Sequence, residues 1–258
     1  MQICPKCRYQ RQPTDHAIHA DICPNCSIVY SKWLAKQSAQ QAPSQEDELV
    51  TEQDDADDEE NLTLPQKIIA AFFYVPERVS NEVFWARVVT LALFALWGGY
   101  FITSGLDWET IGGSFMHNIN LPFHEFGHIF FAPLGNFMMI FGGSLFQVLL
   151  PLALMCVFVF KQHDTFAGSI TLWWCGQSFI DLSPYISDAE YRGLPLVGGG
   201  GEESHDWGNL LTMMDVLEHT QAIAKTSFAI GSLIIIAAVA WGAFILYQQK
   251  QHIVNLYD

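Results

Sequence analysis

His124-Glu125-Phe126-Gly127-His128 sets two imidazoles four positions apart, with a carboxylate beside the first. On a helix the histidines stand one turn apart on one face, so both rings can reach one cation. Glu125 is turned about 100° from His124, which puts its carboxylate beside a cation-bound water rather than on the cation. Zinc lowers the pKa of such a water to about 7, and a carboxylate can then take its proton. A second set lies near the start: Cys4-Pro-Lys-Cys7 and Cys23-Pro-Asn-Cys26, fifteen residues apart. Four thiolates in two such pairs match tetrahedral zinc. His16 and His19, between the pairs, are expected to be bystanders.

A hydrolytic zinc needs a third protein ligand and an open position. Asp181 is the first candidate, as the only Asp, Glu, Lys, Arg or His in 165–186. A lone acid in so apolar a stretch is a functional residue by default. Asp188 is the second choice, and His205 with Asp206 in "SHDWGNLL" the third. In that segment Ser204 reads as the N-cap of a helix running to about residue 220. Gly127 would let a neighbouring helix or a substrate strand come close, and Gln147 and Gln177 are expected to bond between helices.

The elements that must position these residues are apolar. Half the chain is hydrophobic and only 15% is charged, against about 25% in ordinary soluble proteins. Residues 37–66 hold ten acids and no Lys or Arg, so that stretch carries 10 of the 15 net negative charges. The division that follows is a zinc ribbon (1–33), a disordered acidic linker (34–63) and a helical body (64–258). Nucleic acid is a poor partner for this charge balance.

Stretches 88–106, 137–160, 165–186 and 227–247 have the length and apolarity of bilayer-crossing helices, which need about 20 such residues. The shorter 121–135 joins them as a tilted or re-entrant segment screened by its neighbours. The predicted fold is mainly α, a polytopic membrane domain of about five segments behind a small ribbon. Residues 64–75 read as a short helix along the interface. Arg78 and Arg87 precede the first span and no Lys or Arg occurs in 103–120, which places the N-terminus in the cytosol. Thiols stay reduced there.

The head resembles the zinc ribbons found at the front of many bacterial proteins. Residues 85–190, with "HEFGH" at a membrane helix, a long following span and an acid in the next, resemble the site-2-protease family of membrane-embedded zinc metallopeptidases. That resemblance implies His124, His128 and Asp181 as zinc ligands, Glu125 as the base and a membrane-spanning protein segment as substrate. It implies an integral protein of a bacterial inner membrane with two zinc ions, one held by Cys4, Cys7, Cys23 and Cys26. The ribbon would recruit a cytosolic protein partner. Two further readings remain open: a non-catalytic zinc-binding membrane scaffold, and a metal-handling transporter.

Overall fold

The computed structural model describes residues 3–12, 14–15, 18–33, 36, 63–75, 79–195 and 201–254. Residues 37–62 of the acidic linker, His16, Arg78, Leu196, Val197 and the glycines 198–200 lie outside them. The chain divides into two compact units, residues 1–67 and 68–258.

In the first unit the two CPxC turns are built alike. Arg8 N–H donates to the Cys4 carbonyl at 2.9 Å, and Ser27 N–H to the Cys23 carbonyl at 2.9 Å. Arg8 and Ser27 both take φ of 58°, a left-handed twist that closes each knuckle. Each turn is flanked by an antiparallel bridge, Ile3 with Gln10 and Ile22 with Val29. So small a unit buries little: its core is Cys4, Cys23 and Tyr30, and a metal held by the cysteines would reinforce it. Arg11 braces the connecting loop by donating to the carbonyls of Asp15, Ile18, His19, Ala20 and Ile22.

The second unit is helical, continuing from α1 (Leu64–Phe73). After β1 (Val79–Ser80) come α2 (Asn81–Ser104), the short α3 (Trp108–Gly112) and α4 (Phe115–Phe131). Then follow α5 (Asn136–Cys156), α6 (Thr165–Ser187), α7 (Asp206–Met213), α8 (Thr220–Gln249) and β2 (Ile253–Val254). Polar N-caps start several of them. Ser80, Asp107, Ser114 and Asp164 each accept an N–H from the first turn, satisfying donors that a helix start leaves open. A two-residue parallel ladder joins β1 to β2.

Among the described residues, three helical stretches are long and apolar enough to cross a membrane: Asn81–Ser104, Asn136–Lys161 and Leu217–Gln249. The last turns of the second widen to a π-type turn, Val157–Lys161. Large apolar side chains stand exposed on these helices, among them Leu93, Leu96 and Tyr100 on α2 and Leu233, Ile236 and Tyr247 on α8. Exposed apolar faces of that extent mark a surface meant for lipid or protein rather than water. Of the five expected segments, these three have the length and apolarity to cross. α4 has 17 residues, and α6 buries Gln177, Ser178, Asp181 and Ser183 along its length.

α6 is the central post, and most of its residues are buried. It meets α8 through Gly176 and Gly231: a Cβ on Gly176 would lie 2.8 Å from the Gly231 carbonyl oxygen, and one on Gly231 2.5 Å from that of Gly176. Small residues at a helix crossing let the two backbones approach this closely. Ser227 Oγ adds a hydrogen bond to the Phe179 carbonyl at 2.8 Å. Trp173, 1% exposed, fills the space between α2, α6 and α8 against Phe101 and Ile235.

α4 turns one face inward. Asn120, His124 and Gly127 are buried, while Phe126, Ile129 and Phe130 are exposed. The spacing 120, 124, 127/128 keeps these positions on one face. Pro122, inside this helix, removes one rung of its hydrogen-bond ladder. α4 and α5 approach as closely as α6 and α8. A Cβ on Gly127 would lie 2.2 Å from the Gly142 carbonyl oxygen, so the expectation of a close neighbour at Gly127 holds.

Candidate metal centre

Two groups of metal-ligating side chains stand out among the described residues. In the ribbon, Cys4, Cys7, Cys23 and Cys26 bring their sulfurs within 4.8 Å of one another. Cys4 and Cys26 sulfurs are 3.7 Å apart and those of Cys7 and Cys23 3.6 Å. Zinc–sulfur bonds of about 2.3 Å in a tetrahedron require a separation of about 3.8 Å. All four thiols are free, so the donor set fits a structural zinc and not a pair of disulfides. The environment divides the protons among them. Burial opposes a Cys23 thiolate, but hydrogen bonds from the amides of Cys26 and Asn25 outweigh it and bring the thiol down to about 6. Burial pushes Cys26 up to about 12. His19 accepts the Asp21 N–H through Nδ1 and stands outside the sulfur group, as expected of a bystander.

The second group is His124, His128 and Asp206, whose donor atoms also lie within 4.8 Å of each other. Asp206 Oδ2 is 3.1 Å from His124 Nε2 and 3.3 Å from His128 Nε2. Metal–nitrogen and metal–oxygen bonds of about 2.0–2.1 Å in a tetrahedron call for about 3.3–3.4 Å. His128 gives its Nδ1–H to the Met139 carbonyl at 2.9 Å, which leaves Nε2 as a bare lone pair. Its ring centroid lies 4.9 Å from that of His124. Two imidazoles facing one carboxylate cohere only around positive charge. A single divalent cation does this without placing two imidazoliums side by side. Space for one is kept by Gly143 on α5: a Cβ there would lie 2.6 Å from both Nε2 atoms. The residues therefore fit a divalent ion.

Asp206 is held on several sides. It is the first residue of α7, whose N-cap is His205; the expected cap at Ser204 and the expected run to residue 220 are both corrected. The Asp206 N–H donates to Tyr185 Oη at 2.9 Å, and that hydroxyl donates to Asp206 Oδ2 at 3.3 Å. Trp207 Nε1 donates to Ser144 Oγ at 3.0 Å, fastening α7 beside Gly143. Burial works against an ionised Asp206, yet the hydrogen bonds and charges of His124 and His128 hold its carboxyl down to about 2. His205, fully buried, accepts the Gly208 N–H through Nδ1. Burial lowers its pKa, and Tyr185 packs over it with ring centroids 4.4 Å apart. Asp188 accepts the Leu194 N–H at 2.8 Å. These last two shape the loop and are not in the metal group.

The structure corrects the expectation for Asp181, which does not join the histidines. Its Oδ1 faces His117 Nδ1 at 3.1 Å, and its Oδ2 accepts from Gln147 Nε2 at 2.8 Å and Asn120 Nδ2 at 3.2 Å. Gln147 stands between it and His124, with Oε1 3.0 Å from His124 Nδ1. The lone acid of α6 is thus saturated one side chain away from the trio, and Asp206 takes the place foreseen for it.

A cavity of about 340 Å³ opens on the trio, with Glu125, His117, Asp181 and Tyr185 also in its wall. Glu125 is exposed, beside the histidines but apart from the ligand set, as its position on the helix requires. Trp108, also in the wall, meets the His117 ring edge-on at 5.2 Å. Sequence reasoning missed Gly143 altogether and ranked Asp206 last. The signal for Asp206 was a His-Asp pair opening a helix, which reads equally as capping. Compared with protein-family models, curated proteins and solved structures, the chain matches none of them.

Proposed function

We propose that the chain is an intramembrane zinc metalloendopeptidase of the site-2-protease type. The carrying observation is a His124–His128–Asp206 trio beside Gly143, sharing one cavity with a Glu125 that the trio does not use. Zinc ligation by itself does not require Glu125. Its presence favours hydrolysis over a purely structural metal.

A zinc ion bound there would polarise the scissile carbonyl and acidify the attacking water. His124, His128 and Asp206 would hold the ion, and Tyr185 fixes Asp206 at both its backbone N–H and its carboxylate. Glu125 takes the proton as the water oxygen bonds to the carbonyl carbon. It then passes that proton to the amide nitrogen as the carbon–nitrogen bond breaks, so charge and atoms balance within one carboxylate. The apolar outer face of α4 suits a substrate that arrives through lipid, a membrane-spanning or membrane-proximal protein segment. In this reading α4 and α6 lie at bilayer depth with the three longer helices, giving five segments. The N-terminus is cytosolic, in a bacterial inner membrane, and the ribbon recruits a protein partner there.

The test compares wild type with Glu125→Gln, each purified at full length in detergent with zinc content measured. Two zinc ions in both, with cleavage of single-span model peptides by wild type only, is the expected result. Two zinc ions and no cleavage by either would make the chain a metal-bearing scaffold.

A further inference from the structure

We propose that Asp181 is a positioning residue: acting through Gln147, it decides which nitrogen of His124 carries hydrogen and so presents a bare Nε2 to the metal. The inference rests on the metal-binding part of the proposed function and not on hydrolysis.

A glutamine side chain has a donor end and an acceptor end. Turned one way Gln147 would accept from His124 Nδ1; turned the other way it would donate to that atom and drive the hydrogen to Nε2. The second arrangement spoils the ligand. Asp181 removes the choice. A carboxylate only accepts, so the Gln147 Nε2 group must face it, as the 2.8 Å contact has it. The Gln147 oxygen is then left for His124, at 3.0 Å, and Nδ1 must donate. His128 reaches the same state by a different device, the Met139 carbonyl.

The same logic orients the rest of the network. Trp174 Nε1, which can only donate, gives its hydrogen to Asn120 Oδ1 at 2.8 Å. The Asn120 nitrogen therefore turns to Asp181 at 3.2 Å and to Gln177 Oε1 at 2.8 Å. His117 closes the far side of Asp181. Asn120, Gln147 and Asp181 are all at most 4% exposed, so water has little access to replace a lost partner. Metal-binding histidines commonly give their second nitrogen's hydrogen to a carboxylate or carbonyl. Here the carboxylate sits one residue further out, and an amide transmits its preference. This accounts for a lone acid in a helix that, by itself, no metal needs.

The experiment measures affinity for the second zinc equivalent by competition with a chromophoric chelator, on ribbon-loaded full-length protein. Asp181→Asn frees Gln147 to turn over and is expected to weaken binding by about 10–100-fold, the usual cost of losing an outer partner. The double variant Gln147→Glu, Asp181→Asn moves the carboxylate one residue inward at the same net charge. His124 again meets a pure acceptor, and affinity is expected to return to within about threefold of wild type. A merely structural role for Asp181 would not be rescued in this way. Nitrogen-15 spectra of zinc-loaded wild type with labelled histidine give an independent reading: hydrogen on Nδ1 of both His124 and His128 is expected. Hydrogen on Nε2 of His124, unchanged affinity in Asp181→Asn, or a folded double variant without recovery would each overturn the proposal. A wild type that binds one zinc only would remove the metal reading itself, and the inference with it.

Discussion

Gly143→Ala adds one methyl group at the point where the two histidines converge. Its Cβ would lie 2.6 Å from both Nε2 atoms, short of ordinary contact by about 0.8 Å. Metal sites tolerate departures of about 0.2 Å from their bond lengths, so a displacement four times larger breaks the ligand set. The expected loss at the second zinc is at least about 100-fold, which is about 2.7 kcal/mol. The fold is expected to suffer less. Alanine gains about 1 kcal/mol over glycine within a helix, against an overpacking cost of about 1–3 kcal/mol, so the net destabilisation stays within about 2 kcal/mol. The assay is zinc content by mass spectrometry alongside a thermal melt in the same detergent. One zinc per chain with a nearly unchanged melt is the expected pair of results. Two zinc ions at wild-type affinity would refute the placement of the metal against Gly143.

Asp206→Ala is expected to remove the second zinc, whereas Asp188→Ala, whose carboxylate serves the Leu194 amide, should retain it; metal analysis of the two variants separates them. Gly231→Ala sets a methyl 2.5 Å from the Gly176 carbonyl oxygen, and its melting transition should fall by an amount corresponding to about 1–3 kcal/mol. In the metal-free ribbon the Cys23 thiol is depressed from 9.0 to about 6. Its contribution is therefore present above the unfolded value and is lost as pH falls through about 6. Thiolate absorbance followed from pH 9 downward should decay in that window, and a midpoint at an ordinary thiol value would contradict the assignment.

Much of this arrangement can be read from the chain. Two CPxC pairs fixed the ribbon because their spacing leaves few other uses for four thiols. His124, Glu125 and His128 declared themselves by helical period, and the long apolar runs marked α2, α5 and α8 to within a few residues at most ends. Asp206 was harder. It lies 78 positions beyond His128, and tertiary contacts carry it to the site: the packing of α7 on α5 through Trp207 and Ser144 and the hydrogen bonds with Tyr185 of α6. Asp181 drew attention for a sound reason, the cost of an acid in an apolar helix. That cost is met by three hydrogen-bonding neighbours as well as it would be by a metal. Burial alone thus tells that such a residue has partners, and not which. Gly143 left no trace because the absence of a side chain matters only once another helix supplies the histidines.

Anomalous diffraction at the zinc edge, on crystals of the full-length protein, tests the central claim most directly. Two peaks are expected, one among the sulfurs of Cys4, Cys7, Cys23 and Cys26, the other bounded by His124 Nε2, His128 Nε2 and Asp206 Oδ2. A single peak in the ribbon, or a second one bound by Asp181 with Asp206 turned away, would contradict the account.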